Sequence, residues 1–193
     1  MKRALALLAT LTLCACATGA PTSLHLALER DARRDGFRRV AVLTDDYWYC
    51  YPRTHEVIRI PRGFETDFAS VPYFAAAVFD SVGQDAEAAV IHDYLYAVGE
   101  PGQRERADAM FLDALATAKV DPLRRKLMYE AVRAGGGASY GAPGEWRFVD
   151  PETQKPVKAP PKPRTAVVTV LASCTDLPRQ LPRLKLMAAL PRF

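Results

Sequence analysis

Five polar side chains on three consecutive segments of the chain could form one reactive site. They are Asp67, Ser70, His92, Asp93 and Asp108. An imidazole beside carboxylates can bind a metal ion, act as a general base, or belong to a structural hydrogen-bond network. The residue types therefore nominate a site without naming a reaction.

A metal centre is the first hypothesis for this set. Its ligands would be His92 with Asp67, Asp93 and Asp108, a mixture of nitrogen and oxygen suited to Zn, Mn or Fe with positions open for water. A metal-bound water would then be the nucleophile of a hydrolysis reaction. Metal-dependent phosphohydrolases also need an upstream histidine, and His25 and His55 lie on a predicted tether and a predicted strand instead.

A serine nucleophile is the second hypothesis. His92 would activate Ser70, and Asp67 or Asp108 would orient the imidazole for acyl transfer on a cell-wall or lipid substrate. The chain has no Gly-x-Ser-x-Gly motif around this serine. Ser70 also precedes Val71-Pro72 and an apolar run, which predicts that it caps a helix.

A structural network is the third hypothesis. Asp67 would bind backbone amides, His92 would be a hydrogen-bonded core residue, and Asp108 would cap a helix or pair with Arg124 or Arg125. Buried imidazole and carboxylate groups are costly unless they bind one another. We therefore expect one connected network under each of the three hypotheses.

The N-terminus predicts export and a lipid anchor. Lys2 and Arg3 precede a short apolar run, too short to span a bilayer, that ends in Leu13-Cys14-Ala15-Cys16. This pattern is typical of a bacterial lipobox, with residues 1–15 removed and acyl chains such as palmitate on Cys16. An ordinary secretory signal cut near Ala15 or Ala20 is the alternative. Under the lipobox interpretation the protein lies in the cell envelope, anchored to a periplasm-facing leaflet, and Ala17 favours the outer membrane.

Charge argues against a nucleic-acid partner. The full chain has a formal charge of +4, which falls to +2 when Lys2 and Arg3 are removed with the signal. The arginines between residues 33 and 39 are interrupted by Asp35 and predict a solvated face. The partners expected are the membrane, through the lipid, and an envelope or phage protein.

Two cysteines remain after removal of the signal and lipidation of Cys16. Cys50 and Cys174 form the only pair available, and thiols outside the cytoplasm are expected to oxidise. The alternative is two separate buried thiols.

Local patterns predict an α+β domain, with a small antiparallel β-sheet packed against three to four short α-helices. Strands are expected at 37–43, 47–51 and 56–60, and helices at 73–79, around His92, around Met110, and after the Asp121-Pro122 cap. Alternation places Tyr47, Tyr49 and Tyr51 on one strand face, which favours core packing. The domain would span 37–149, after a tether at 16–36 that has helical character over residues 23–33.

The C-terminal 44 residues, 150–193, are predicted to be an appendage to this domain. Residues 150–164 hold five prolines and three lysines, which is typical of a solvated linker. Residues 165–193 should form one strand, docked by the cysteine pair, and an irregular or loosely helical tail.

Four motifs in order resemble a known family. They are 63–72, 92–96, 107–111 and 124–129. Together they resemble the bacterial and phage family called domain of unknown function 1353, over about residues 37–140. The resemblance implies an architecture and a phage association, and the family has no established activity. A signal peptide and a tail after Asp150 depart from its usual form.

The function expected is binding at the cell envelope, for example in phage exclusion or envelope assembly. The alternative is a metal-dependent hydrolase that acts on an envelope substrate through Asp67, His92, Asp93 and Asp108. Whether the protein is an enzyme stays open at this point.

Overall fold

The computed structural model describes residues 23–28, 40–68 and 85–189. The strands in these ranges are β1 (Leu26–Leu28), β2 (Ala41–Leu43), β3 (Tyr47–Tyr51), β4 (Glu56–Ile60), β5 (Glu65–Thr66) and β6 (Val167–Val170). The helices are α1 (Ala86–Val98), α2 (Arg104–Thr117), α3 (Pro122–Gly135) and α4 (Leu177–Ala189). The predicted α+β class is confirmed.

The strands form two antiparallel sheets of three strands, where the patterns predicted one sheet. Their orders are β1-β2-β5 and β3-β4-β6. After the β3–β4 hairpin the chain returns to β2, where Thr66 pairs with Ala41. The free edge of β4 is then filled by β6 from far along the chain. The division follows from these edge pairings, which no local pattern encodes.

Strand β1 lies in the segment expected to be a helical tether. Leu26 pairs with Leu43, and the backbone carbonyl of His25 accepts a hydrogen bond from the amide of Thr44. Leu24 and Leu26 pack against the core. Their two-residue spacing is that of a strand, so the expectation of a helix was wrong here.

Strand β3 is buried on both faces. Tyr47, Tyr49 and Tyr51 belong to the main core, whereas Trp48 and Cys50 belong to a second, smaller cluster. The expectation of core packing for the tyrosines is confirmed. The alternation of side chains along the strand directs the two sets to opposite sides of the sheet.

The start of α3 and the end of α1 carry local signals that are typical of helix termini. Asp121 caps α3 by accepting hydrogen bonds from the amides of Leu123 and Arg124, with Pro122 in the first turn. Helix α1 ends at Gly99, whose φ of 59° is the left-handed conformation that glycine adopts readily. A Cβ at Gly99 would collide with Gly141, so the end of α1 packs directly on that loop.

The C-terminal segment folds back onto the second sheet. Residues 150–164 are mostly exposed, and the indole N–H of Trp146 donates to the carbonyl of Pro160 at 2.8 Å. The predicted disulfide between Cys50 and Cys174 is confirmed. The tail predicted to be irregular or loosely helical forms the regular helix α4, whose Leu177 is buried in the second cluster.

Several predictions fall outside the described residues. They concern the signal peptide at 1–15, Cys16, Ser70 and the helix at 73–79. Among the helices that are described, no segment combines the length and apolar character needed to cross a membrane.

Candidate functional site

A buried carboxylate, Asp108 of α2, lies at the centre of the predicted polar set. Its side chain is inaccessible to solvent. The hydroxyl of Tyr96 donates to Oδ1 at 2.7 Å, and His92 Nε2 lies 3.1 Å from the same oxygen. Arg133 of α3 brings its guanidinium to 3.5 Å from Oδ2. Three helices therefore contribute to one network.

His92 lies on the inward face of α1, as its spacing predicts, and is 3% exposed. Its ring packs against the rings of Tyr96 and Phe111, with centroid separations of 4.0 and 4.8 Å. Burial lowers the pKa of His92, although Asp108 and Asp67 act in the opposite direction. The imidazole is therefore neutral at pH 7.

The tautomer of His92 follows from its partner. A carboxylate can only accept a hydrogen bond, so the neutral ring carries its proton on Nε2 and donates to Asp108. Nδ1 is then an acceptor, and it is buried without a hydrogen-bond partner in the described part of the chain.

Asp108 keeps its charge despite its burial. Burial raises its pKa, but the hydrogen bonds from His92 and Tyr96 outweigh that effect, and the resulting pKa lies below the usual value. Burial and the hydrogen bond to Asp108 raise the pKa of the Tyr96 hydroxyl, which stays protonated. The network therefore consists of one carboxylate and neutral or cationic donors.

Asp93 contacts Thr66, the last residue of β5. The hydroxyl of Thr66 donates to Asp93 Oδ2 at 2.5 Å and accepts the amide hydrogen of Phe68 at 3.1 Å. Phe68 has a φ of 59°, which is uncommon for a bulky residue, and its side chain is buried. Asp67, half-buried in the loop after β5, carries a charge that opposes part of the lowering of the His92 pKa by burial.

The predicted site residues thus divide into two groups. The structure joins His92 to Asp108 and places Asp93 on Thr66. Across 23–28, 40–68 and 85–189, no three or more His, Cys, Asp or Glu side chains are gathered as a metal would require. Within the described residues, Asp108 is joined by hydrogen bonds to His92 and Tyr96.

The expected partner of Asp108 was wrong. Arg124 pairs instead with Asp85, at 3.0 Å. Arg133, about two and a half turns further along α3, approaches Asp108. The register of α3 against α2 determines which arginine reaches the Asp108 carboxylate. The spacing of residues within α3 does not reveal that register.

Sequence reasoning also missed Tyr96, Thr66 and Arg133 as members of the site. A signal existed for Tyr96, because it follows His92 by four residues on the same helical face. Thr66 and Arg133 come from other elements, and only the packing of those elements brings them to the network.

The fold and site define an α+β domain with a histidine–aspartate–tyrosine network buried between its helices. Residues 41–132 match the model of a family described as a protein of unknown function (DUF1353). The resemblance inferred from the motifs is confirmed over that range. Neither the curated proteins nor the solved structures compared with the chain include a match.

Proposed function

We propose that this protein is a lipid-anchored component of the cell envelope that acts by binding a partner there. The disulfide between Cys50 and Cys174 is the observation that carries the proposal. Such bonds persist in oxidising compartments and are rare in the cytoplasm. The lipobox that ends at Cys16 supplies the matching address and anchor.

The burial of the polar network favours binding over catalysis. The side chain of His92 is 4% exposed and that of Asp108 is 0% exposed, so no substrate atom reaches either group without movement of the helices. Their hydrogen bond joins α1 to α2, and Arg133 brings in α3. Such a network gives the helices one defined arrangement and leaves recognition to the surface.

The partner proposed is an envelope or phage protein. The resemblance to a bacterial and phage family motivates this choice, with phage exclusion and envelope assembly as the two roles. Efficiency of plating on cells that express the protein separates them, because exclusion lowers plating and an assembly role leaves plating unchanged.

Cell fractionation and intact mass analysis test the anchor. The wild-type chain is expected in the membrane fraction with acyl chains on Cys16, and Cys16→Ala abolishes both. Cys14→Ala is the matched control, since it changes a neighbouring cysteine and leaves the lipidated position intact. Recovery of unacylated wild-type protein from the soluble periplasm would contradict the lipid anchor and favour an ordinary secretory signal.

The hydrolase remains the second candidate because the charge of Asp67 acts on His92. Elemental analysis of protein purified without chelator decides between the candidates, with an Asp67→Ala, His92→Ala double variant alongside. Near-stoichiometric metal that disappears in a folded double variant would favour the hydrolase. Wild-type protein without stoichiometric metal would favour the binding role.

A further inference from the structure

A groove of about 350 Å³ lies on the surface between α2 and α3, away from the buried network. Its walls come from one face of each helix near the α2–α3 connection. They include Leu112, Asp113 and Ala116 of α2, and Arg125, Lys126 and Tyr129 of α3. The volume is at the lower end of the range for small-molecule sites.

Arg125 is the unusual residue in this groove. It is half-buried, and its guanidinium has no ion pair or side-chain hydrogen bond with any residue that the structure describes. The adjacent Arg124, by contrast, binds Asp85. A guanidinium that has no anionic partner among the described residues is available to bind one.

The carboxylate in the groove is already neutralised. Asp113 accepts hydrogen bonds from the Tyr51 hydroxyl at 2.8 Å and from Arg53 at 2.7 Å. Burial, and then the bond to Asp113, raise the pKa of Tyr51 to about 12, so this donor stays in place at neutral pH. Arg125 and Lys126 therefore leave the groove with a surplus of positive charge.

The shape of the groove adds an apolar contact to this charge. Leu112 and Ala116 form part of one wall, and the Tyr129 ring forms part of the other. A ligand that fits would have one oxyanion for Arg125 and a short hydrocarbon body for the wall. Arginine binds carboxylate and phosphate oxygens through two parallel hydrogen bonds, which favours such a head group.

We infer that the groove between α2 and α3 binds a small organic oxyanion, with Arg125 as its principal charged contact and Lys126 as a second. This inference deepens the proposed binding role and names the class of ligand for it. A carboxylate would come from a peptide or small acid, and a phosphate monoester from a lipid head group.

The experiment is a titration of the full processed chain, monitored by backbone ¹⁵N chemical shifts. Hexanoate and hexyl phosphate are the two probes, and hexanol and hexylammonium are the neutral and cationic controls. The acylated chain is held in phosphatidylcholine nanodiscs, with empty nanodiscs as the blank. Unacylated chain is titrated free in solution, so failure of the anchor proposal leaves this test intact.

Saturable binding of at least one anionic probe is expected, with a Kd on the order of 1 mM and shifts centred on residues 112–129. Arg125→Gln should weaken it by about tenfold or more, and Lys126→Gln by less. Arg183→Gln removes the same charge from an exposed position on α4, and it should leave the Kd unchanged. Preference for hexanoate or hexyl phosphate identifies the head group.

Three results would overturn the inference. They are the absence of saturation by both anionic probes, equal binding of hexanol, and a Kd that is the same in folded Arg125→Gln and wild type. An equal loss in Arg183→Gln would also overturn it, because the attraction would then reflect overall charge.

Discussion

Gly136 lies directly against the hydroxyl of Tyr96. A Cβ at this position would collide with the hydroxyl oxygen and lie 2.7 Å from the ring carbon Cε1. The same hydroxyl donates to Asp108. The end of α3 therefore presses on the buried network through a residue that has no side chain.

Gly136→Ala should destabilise the protein by about 1–3 kcal/mol, because the new methyl group must displace Tyr96 from Asp108 or move the end of α3. The φ of Gly136, −76°, is a value that alanine adopts without strain, but the Cβ would also lie 2.7 Å from the backbone carbonyl oxygen of Val132. Denaturant unfolding measures the change in the free energy of unfolding.

Gly137→Ala is the matched control for this change. The nearest atom to a Cβ there is the flexible end of Arg104, at 3.3 Å. We expect its free energy of unfolding to stay within about 0.5 kcal/mol of wild type. Equal losses in the two variants would show that the contact with Tyr96 is not responsible.

Stability should fall on acidification below about pH 6.5 because of His92. The unfolded chain takes up a proton near that pH, whereas burial lowers the pKa of His92 in the folded protein. The free energy of unfolding then declines by up to about 1.4 kcal/mol per pH unit until the folded pKa is reached. Asp108, whose folded pKa is also lowered, adds a further loss below about pH 3.9.

Denaturant curves between pH 7 and pH 5 isolate the contribution of His92. His92→Gln keeps a side-chain donor for Asp108 but does not titrate, so its stability should depend less on pH over this interval than that of wild type. His25→Gln, beside β1, serves as the control and should follow wild type. If the free energy of unfolding depends on pH in the same way in wild type and His92→Gln, the loss of stability between pH 7 and pH 5 is not caused by His92.

Reduction of the disulfide should release the C-terminal segment. Cys50 and Cys174 are 124 residues apart, so their bond closes a long loop and should contribute about 2–4 kcal/mol to stability. Limited proteolysis should then cut the linker at 150–164 faster, because β6 and α4 dissociate more readily from the sheet. Reductant should cause no additional change in a Cys50→Ser, Cys174→Ser variant.

Two adjacent arginines of α3 should differ in their importance for folding. Arg124→Ala should cost about 1–3 kcal/mol, because it removes a partner from Asp85, whose side chain is 2% exposed. Arg125→Ala should change stability by less than about 0.5 kcal/mol, so position 125 can be substituted in the ligand titration without loss of the fold. Thermal unfolding of both variants checks this prediction, and a large loss in Arg125→Ala would contradict it.

Local signals in the sequence were sufficient for much of the helical part. The spacing around His92 placed it inward, and Asp121-Pro122 marked the first residues of α3. Both signals involve residues within one or two turns of one helix, so they can be recognised from the sequence alone. The alternating leucines before residue 28 were an equally local signal for β1, and our prediction overlooked it.

The amino-acid sequence by itself determined the α+β class, because the periods of its apolar residues differ between strands and helices. Under the lipobox interpretation it also predicted the pairing of Cys50 with Cys174, with two separate thiols as the alternative, and the structure shows the bond. Only the tertiary structure decided that Arg133 approaches Asp108, that Asp93 binds Thr66 and that Arg125 lines a groove. These contacts depend on the register between packed elements, which is set by the summed fit of many side chains along their interfaces.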